Sequence, residues 1–582
     1  MKPSCAGRCS GHRPWCAAVL LLFALGTPRA AWAGGVAVVA SDSPLAADAG
    51  LEVLASGGSA VDAAIATALA VCVVHPSSCG IGGGGFMVIW DRARREALAL
   101  DYREQAPALA RVELYEENGA YVPARSRRGA LAVGVPGEVA GLAAAHERFG
   151  RLPWRRLFAP AVRLARDGFP VSKHLASQLQ RQAQALAADP ELARTYLDAD
   201  GAPWPEGAVV RAGALAATLE RIANEGPQAF YAGEVADRIV ATVQAGGGVL
   251  GRDDLARYRP VWREPLEVGY RGARVFTMPP PSGGGPALVL ALRTLRRYDV
   301  EALGLATPTR WQLFAEILKH AFADRARASG DPAFDDLPPP ARGAPLRGRL
   351  LASRTLPPEQ YGTVGVPARD GGTSHLSVIA PDGSAVALTT TINTSFGAML
   401  AVPGTGIVLN NEMDDFSFDS PNLFGLAPGR TNRIAPGKRP ASSMTPTVAV
   451  EDGRGVVAVG ASGGPLIVSA TIEVLSNVLD FGLPPEAAVA APRVHHQWQP
   501  NVLLVEPGVR PIDREALARL GHELREIPAV AAVSLATELP DAVGGAGDPR
   551  KGGGARIARD VTRSRPSAPR ASAVSETHHA GR

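Results

Sequence analysis

Cysteine is scarce in this chain. Of five in 582 residues, Cys5, Cys9 and Cys16 lie in an N-terminal leader, which leaves Cys72 and Cys79. Two lone thiols fall short of the four ligands of a structural zinc site, so no metal is expected. They form either a short-loop disulfide or a buried Cys72 with an unpaired Cys79, and the sequence leaves both open. Excess charge of one sign is also lacking: 60 Lys and Arg stand against 56 Asp and Glu, and the net charge is +4. That balance gives no reason to expect nucleic acid, and much of the excess sits near the C-terminus. Outside the leader no apolar run reaches the ~18 residues that a membrane helix needs. No internal repeat is visible.

What is present is an ordinary globular composition, 46% hydrophobic and 20% charged, in a chain long enough for one large domain or several smaller ones. The leader carries Lys2, Arg8 and Arg13, then an apolar run from Cys16 to Gly26, then Ala31-Trp32-Ala33. Basic flank, short apolar run and A-x-A site together predict a signal peptide cut before Gly34. The mature protein is therefore expected in the periplasm or outside the cell, with no stable membrane association.

Alternating and helical hydrophobic patterns divide the rest. Val36 onward is a short strand, and Ala60–Val74 is a helix apolar nearly all round, hence buried. Residues 137–224 read as amphipathic helices, and Trp311–Arg327 as another. Residues 338–372 hold several prolines and many arginines with little periodicity, which predicts an exposed linker. From Thr373 to about Val450 the pattern is strand and turn, and two strand–helix units follow. An α+β fold is expected, with a disordered basic tail over residues 554–582.

Two short motifs invite functional readings. Gly80–Gly85 matches G-x-G-x-x-G, but a helix precedes it and a strand follows, the reverse of a dinucleotide site. A loop approached closely by other backbone is the better reading. Gly460-Ala461-Ser462-Gly463-Gly464 matches G-x-S-x-G between a strand and a helix, as a nucleophile elbow requires. Asp480, His495 and His496 lie downstream, so a Ser462 hydrolase is available. The alternative is a Gly-rich turn whose free N–H groups bind an anion.

A third constellation starts at Thr373. Residues 372–380 form a strand, Pro381-Asp382-Gly383-Ser384 a turn, and Ala385–Asn393 the returning strand. With Asp382-Gly383 as a two-residue loop, Thr373 lies opposite Ile392, between Thr391 and Asn393. Strict alternation then points Thr391 away from Thr373 unless a bulge intervenes.

The stretch GGTSHLSVIAPDGSAVALTTTINTSFGAML, with GIVLNNEMDDFS and KRPASSMTPT after it, closely resembles γ-glutamyltransferases of the N-terminal-nucleophile (Ntn) hydrolase superfamily. So do SGGSAVDAAIATALAVCVVHP, GIGGGGFMVIW, LDYREQAP, VGVPGEVAGL, MPPPSGGG, AFADR and PRVHHQW, in the family's order. The resemblance implies a four-layer αββα sandwich formed by two chains cut from one precursor. The large subunit would span residues 34–372 and the small catalytic subunit 373–553. The cut would fall between Gly372 and Thr373, freeing a threonine whose own α-amine serves as base. Thr391 would orient the nucleophile, and the Gly463 and Gly464 N–H groups would form an oxyanion hole. Arg103, Ser442 and Ser443 would hold the substrate α-carboxylate, and Asn393, Glu412 and Asp415 the α-ammonium.

The implied substrates are γ-glutamyl compounds such as glutathione, with water, an amino acid or a dipeptide as acceptor and no cofactor. Two positions depart from the pattern. Phe424, in the lid segment between Asp415 and Ser442, stands where the family often has a gating tyrosine, and Leu466 where it often has an arginine. A glutaryl or cephalosporin acylase on the same fold is the neighbouring alternative.

Overall fold

The structure is a computed structural model that describes residues 35–339, 350, 354–361, 372–418 and 431–559. The leader, Phe424 and residues 560–582 lie outside the described residues.

Two sheets face each other. The first runs, in spatial order, Gly554–Arg559, Val36–Ser41, Gly372–Ile379, Ala385–Asn393, Gly84–Asp91, Glu96–Tyr102 and Val261–Arg263. The second runs Ala542–Gly547, Ala532–Leu539, Arg454–Ser462, Thr447–Glu451, Ala273–Thr277 and Leu266–Tyr270. Neighbouring strands in both are antiparallel. Helices Pro44–Ala55 and Ala60–Val74 cover the outer face of the first sheet. Helices Gly284–Leu295 and Leu466–Leu479 cover that of the second, with Pro308–Ala328 against the former. This is the expected αββα sandwich.

Central strands of such a sandwich are buried on both faces, which explains their nearly unbroken apolar sequences. Along Gly84–Asp91, Met87 and Ile89 join the core under the first helical layer, whereas Phe86, Val88 and Trp90 join the core between the sheets. The same alternation sorts Gly372–Ile379: Leu376 and Val378 face the helices, and Ile379 faces the opposite sheet. Thr373, His375 and Ser377 share the parity of Ile379, so they turn toward the gap between the sheets. Helix Ala60–Val74 is buried throughout and starts with a capping box, Ser59 Oγ accepting from Asp62 N and Asp62 from Ser59 N. At its far end Cys72 and Cys79 are joined in a disulfide, which settles the open pairing.

Three expectations change. The hairpin loop holds three residues, Pro381 to Gly383, closed by Gly383 N donating to Ala380 O at 2.8 Å. Gly383 takes a left-handed φ of 85°, which a glycine adopts without penalty. The extra loop residue shifts the pairing, so Thr373 stands opposite Thr391 rather than Ile392, with an irregularity between Gly372 and Thr373. Second, the chain from 554 is not tail at first, because Gly554–Arg559 is an edge strand paired with Val36–Ser41. Third, the linker is not uniformly exposed. Leu356 and Tyr361 are buried, Thr355 Oγ1 donates to Glu316 at 2.5 Å, and Trp498 Nε1 donates to Pro358 O at 2.8 Å. Among the described residues no helix is long and apolar enough to cross a membrane.

Candidate functional site

The corrected register puts two hydroxyls side by side at the end of the central hairpin. Thr373 Oγ1 lies 3.3 Å from Thr391 Oγ1. Thr391 Oγ1 donates to Gly372 O at 2.7 Å and accepts from Asn393 N at 2.8 Å. Its one proton is thus on the carbonyl of the Gly372–Thr373 bond, which leaves the Thr373 hydroxyl to donate to Thr391. Gly372 is required by close approach: a Cβ there would sit 2.3 Å from Thr394 O and 2.8 Å from Ser77 O.

Thr373 opens onto a cavity with about 350 Å³ of empty space, its mouth included. Thr391, Asn393, Arg103, Asp415, Ser442, Ser443 and Gly464 line it too. Residues separated by hundreds of positions converge here because each ends an element at the same edge of the sandwich. Arg103 follows strand Glu96–Tyr102, Asp415 ends a short 3-10 turn, and Gly464 follows strand Arg454–Ser462. Gly463 and Gly464 both have positive φ, 137° and 60°, so the turn into helix Leu466–Leu479 suits glycine.

Arg103 is buried and heavily engaged. Its Nη1 donates to Glu412 Oε1 at 2.6 Å, and its Nη2 donates to Asp415 Oδ2 and, at 3.0 Å, to Ala441 O. Burial opposes its charge, but Glu412 and Asp415 hold the guanidinium above its ordinary range. Burial also pushes Asp415 up to about 6 despite Arg103 beside it. Each acid gives Arg103 one oxygen, and the other oxygens, Glu412 Oε2 and Asp415 Oδ1, are buried without a hydrogen-bond partner. Burial pushes the Glu412 carboxyl well above its ordinary range, so the unsatisfied Oδ1 of Asp415 is the stronger acceptor for a cation. Ser442 Oγ accepts from Met444 N at 3.1 Å, and Asn393 Nδ2 donates to Asn411 O at 2.9 Å.

The rival elbow lacks its base. Ser462 Oγ donates to Asp42 Oδ2 at 2.9 Å and accepts from Lys551 Nζ at 3.1 Å. His495 is held by Ser469 at 2.7 Å and Gln497 at 3.1 Å, and His496 Nδ1 accepts from Trp498 N. The Gly80–Gly85 loop serves close packing: a Cβ on Gly83 would lie 2.0 Å from Thr391 O.

The chain matches the family model for gamma-glutamyltranspeptidase over residues 46–558. The chain belongs to the gamma-glutamyltranspeptidase family. It is 40% identical over 544 residues to glutathione hydrolase 2 of Arabidopsis thaliana, covering 88% of this chain and 92% of that one. To the glutathione hydrolase proenzyme of Escherichia coli K12 it is 37% identical over 524 residues, with 88% and 90% covered. Among solved structures, cephalosporin acylase from Bacillus halodurans is similar with a TM-score of 0.76 and 29% identity, over 90% of this chain and 96% of that one. The acylase alternative thus shares the fold of this transpeptidase-family member.

Sequence reasoning missed Arg325, which lines the cavity and whose Nε has no hydrogen-bond partner. It is the last residue of the AFADR motif, yet on an amphipathic helix an arginine reads as surface. Burial brings its guanidinium down to about 10, so it is a cation at neutral pH. Asp42 and Lys551, on either side of Ser462, were missed as well.

Proposed function

We propose that this protein is an exported γ-glutamyltransferase and glutathione hydrolase that activates itself by cutting its own chain before Thr373. The observation that carries the reading is the contact set at Thr391, whose hydroxyl reaches both Gly372 O and the Thr373 hydroxyl. In the first step Thr373 Oγ1 attacks the Gly372 carbonyl carbon, and Thr391 stabilises the charge growing on the carbonyl oxygen. The Gly372–Thr373 C–N bond breaks, the nitrogen takes the proton that the Thr373 hydroxyl gives up, and an ester joins Gly372 to Thr373 Oγ1. Water then cleaves the ester and frees a large chain ending at Gly372 and a small chain starting at Thr373.

The new α-amine supplies what the precursor lacked, a base on the nucleophile's own residue. Its ordinary pKa is about 7.7–8.0, and partial burial lowers it, so the free base is available near neutrality. A γ-glutamyl donor enters the cavity with its scissile carbonyl carbon beside Thr373 Oγ1. Its α-carboxylate pairs with Arg103, Ser442 and Ser443. Its α-ammonium goes to the unpaired Oδ1 of Asp415, which lines the cavity with Asn393, and Glu412 adds its acid from behind that lining. The Gly463 and Gly464 N–H groups receive the oxyanion. The amine leaving group departs with the α-amine's proton, and water or an acceptor amine resolves the ester.

The acylase reading is weaker, because a glutaryl donor has no ammonium to satisfy that acid oxygen. The test is turnover of a γ-glutamyl anilide and a glutaryl anilide, each with and without glycylglycine. Preference for the γ-glutamyl substrate supports the reading, and equal or better turnover of the glutaryl one overturns it.

A further inference from the structure

We propose that Lys551 is a positioning residue that keeps the Thr373 α-amine in its free-base form after the chain is cut. The inference rests on the free-amine reading above and adds the group that tunes it. Lys551 Nζ is buried and donates to Thr373 O at 2.5 Å, Asp42 Oδ2 at 2.8 Å and Ser462 Oγ at 3.1 Å, with Ser374 Oγ 3.5 Å away. It therefore ties together the nucleophile strand, the end of strand Val36–Ser41 and the Gly-rich turn. The loop that carries it is fixed by Lys551 N donating to Asp548 O at 3.2 Å and Gly553 N to the same oxygen at 2.9 Å.

The contact on Thr373 O has an electrostatic consequence. Backbone bond lengths put the nitrogen of a residue within a few ångströms of its own carbonyl oxygen, so Lys551 Nζ lies within roughly 6 Å of the future α-amine. A second positive charge on that amine is disfavoured at this range, by about one pH unit or more at the effective dielectric of a partly buried site. Asp42 opposes that field without abolishing it, since Lys551 still depresses His75 and His174. Its Oδ2 already accepts from Ser462 Oγ and from His375 N at 3.3 Å, and its Oδ1 from Ser534 Oγ at 3.4 Å.

Other groups around Thr373 do not supply the opposing charge. His75, after helix Ala60–Val74, is pushed down to about 3 by burial and, second, by Lys551 itself, so it is neutral. His174 and His375 are neutral for the same first reason. On the cavity side Arg103 and Arg325 stand against Asp415. An α-amine with its ordinary pKa would be mostly protonated at neutral pH, and the buried ammonium removes that loss.

The test is kcat against pH with a saturating γ-glutamyl anilide, for wild type, Lys551→Met, Lys551→Arg and Asp42→Asn, each checked by intact mass for the cut before Thr373. The kcat profile is used because bound substrate holds Asp415 ionised, which confines its titration to KM. Lys551→Met is expected to move the acid limb up by about one pH unit, a tenfold loss below the limb with a smaller loss on the plateau. Lys551→Arg leaves the limb in place, and Asp42→Asn moves it down. A limb that stays put in both Lys551→Met and Asp42→Asn overturns the proposal and leaves Lys551 a purely structural tie. If Lys551→Met is not cut, Asp42→Asn decides alone: a limb that moves down supports the proposal, and one that stays put overturns it. An uncut but active wild-type chain is a different failure, because it removes the free amine itself.

Discussion

Thr373 and Ser462 make an instructive pair. Both are buried hydroxyl residues near a strand end, on facing sheets, next to glycine, and Lys551 Nζ touches the backbone of one and the side chain of the other. By motif, Ser462 is the better nucleophile. By surroundings it is not, since Asp42 and Lys551 take up its hydroxyl and both downstream histidines are committed elsewhere. The Thr373 hydroxyl instead has a neighbouring hydroxyl and an open cavity. Reactivity follows from what a hydroxyl has left unspent, and a five-residue pattern does not record that.

The contrast can be broken most sharply at Thr373 itself. Thr373→Ala is expected to remain one chain on a denaturing gel and to lose γ-glutamyl anilide turnover by roughly 10⁴-fold or more. Thr391→Val, which removes the proton on Gly372 O, should slow self-cutting by about 10²-fold, read as the fraction of cut chain against time. Asp415→Asn should lower kcat/KM for a γ-glutamyl donor by about 10²-fold, near 2.7 kcal/mol, and leave a glutaryl donor nearly unchanged. Equal loss on both would remove the argument for the ammonium.

Acid pH should mimic that substitution. Asp415 is raised to about 6, and ammonium binding needs its ionised form, so the contact is present above that pH and lost below it. KM for a γ-glutamyl donor should climb about tenfold per pH unit below 6, and the climb should vanish in Asp415→Asn. Ser462→Ala should be the mildest change. It should lower stability by about 2–3 kcal/mol in a denaturant melt, for the two hydrogen bonds lost to Asp42 and Lys551, while the chain is still cut.

Much of the sandwich was legible because its central strands and the helix Ala60–Val74 are apolar on both faces, a pattern with few other readings. The site was legible only through family motifs. Taken singly, Arg103, Asp415 or Ser442 is an ion pair, a turn and a loop residue. The register of the central hairpin was misread because Pro381-Asp382-Gly383-Ser384 is compatible with a loop of two or of three residues, and a shift of one moves Thr391 to the other face. Arg325 escaped because helical periodicity marks positions and does not say that a buried arginine faces a cavity. Lys551 and Asp42 escaped for a simpler reason. They meet across a sequence separation of 509, and no local pattern spans that distance.

The central claim is that Thr373 becomes an N-terminus, and intact-mass spectrometry of the purified wild-type protein tests it most directly. Two chains are predicted, the larger starting at Gly34 and ending at Gly372 and the smaller starting at Thr373, with γ-glutamyl turnover rising as the uncut mass disappears. An active protein that stays one chain, or one cut at any other bond, would contradict the account.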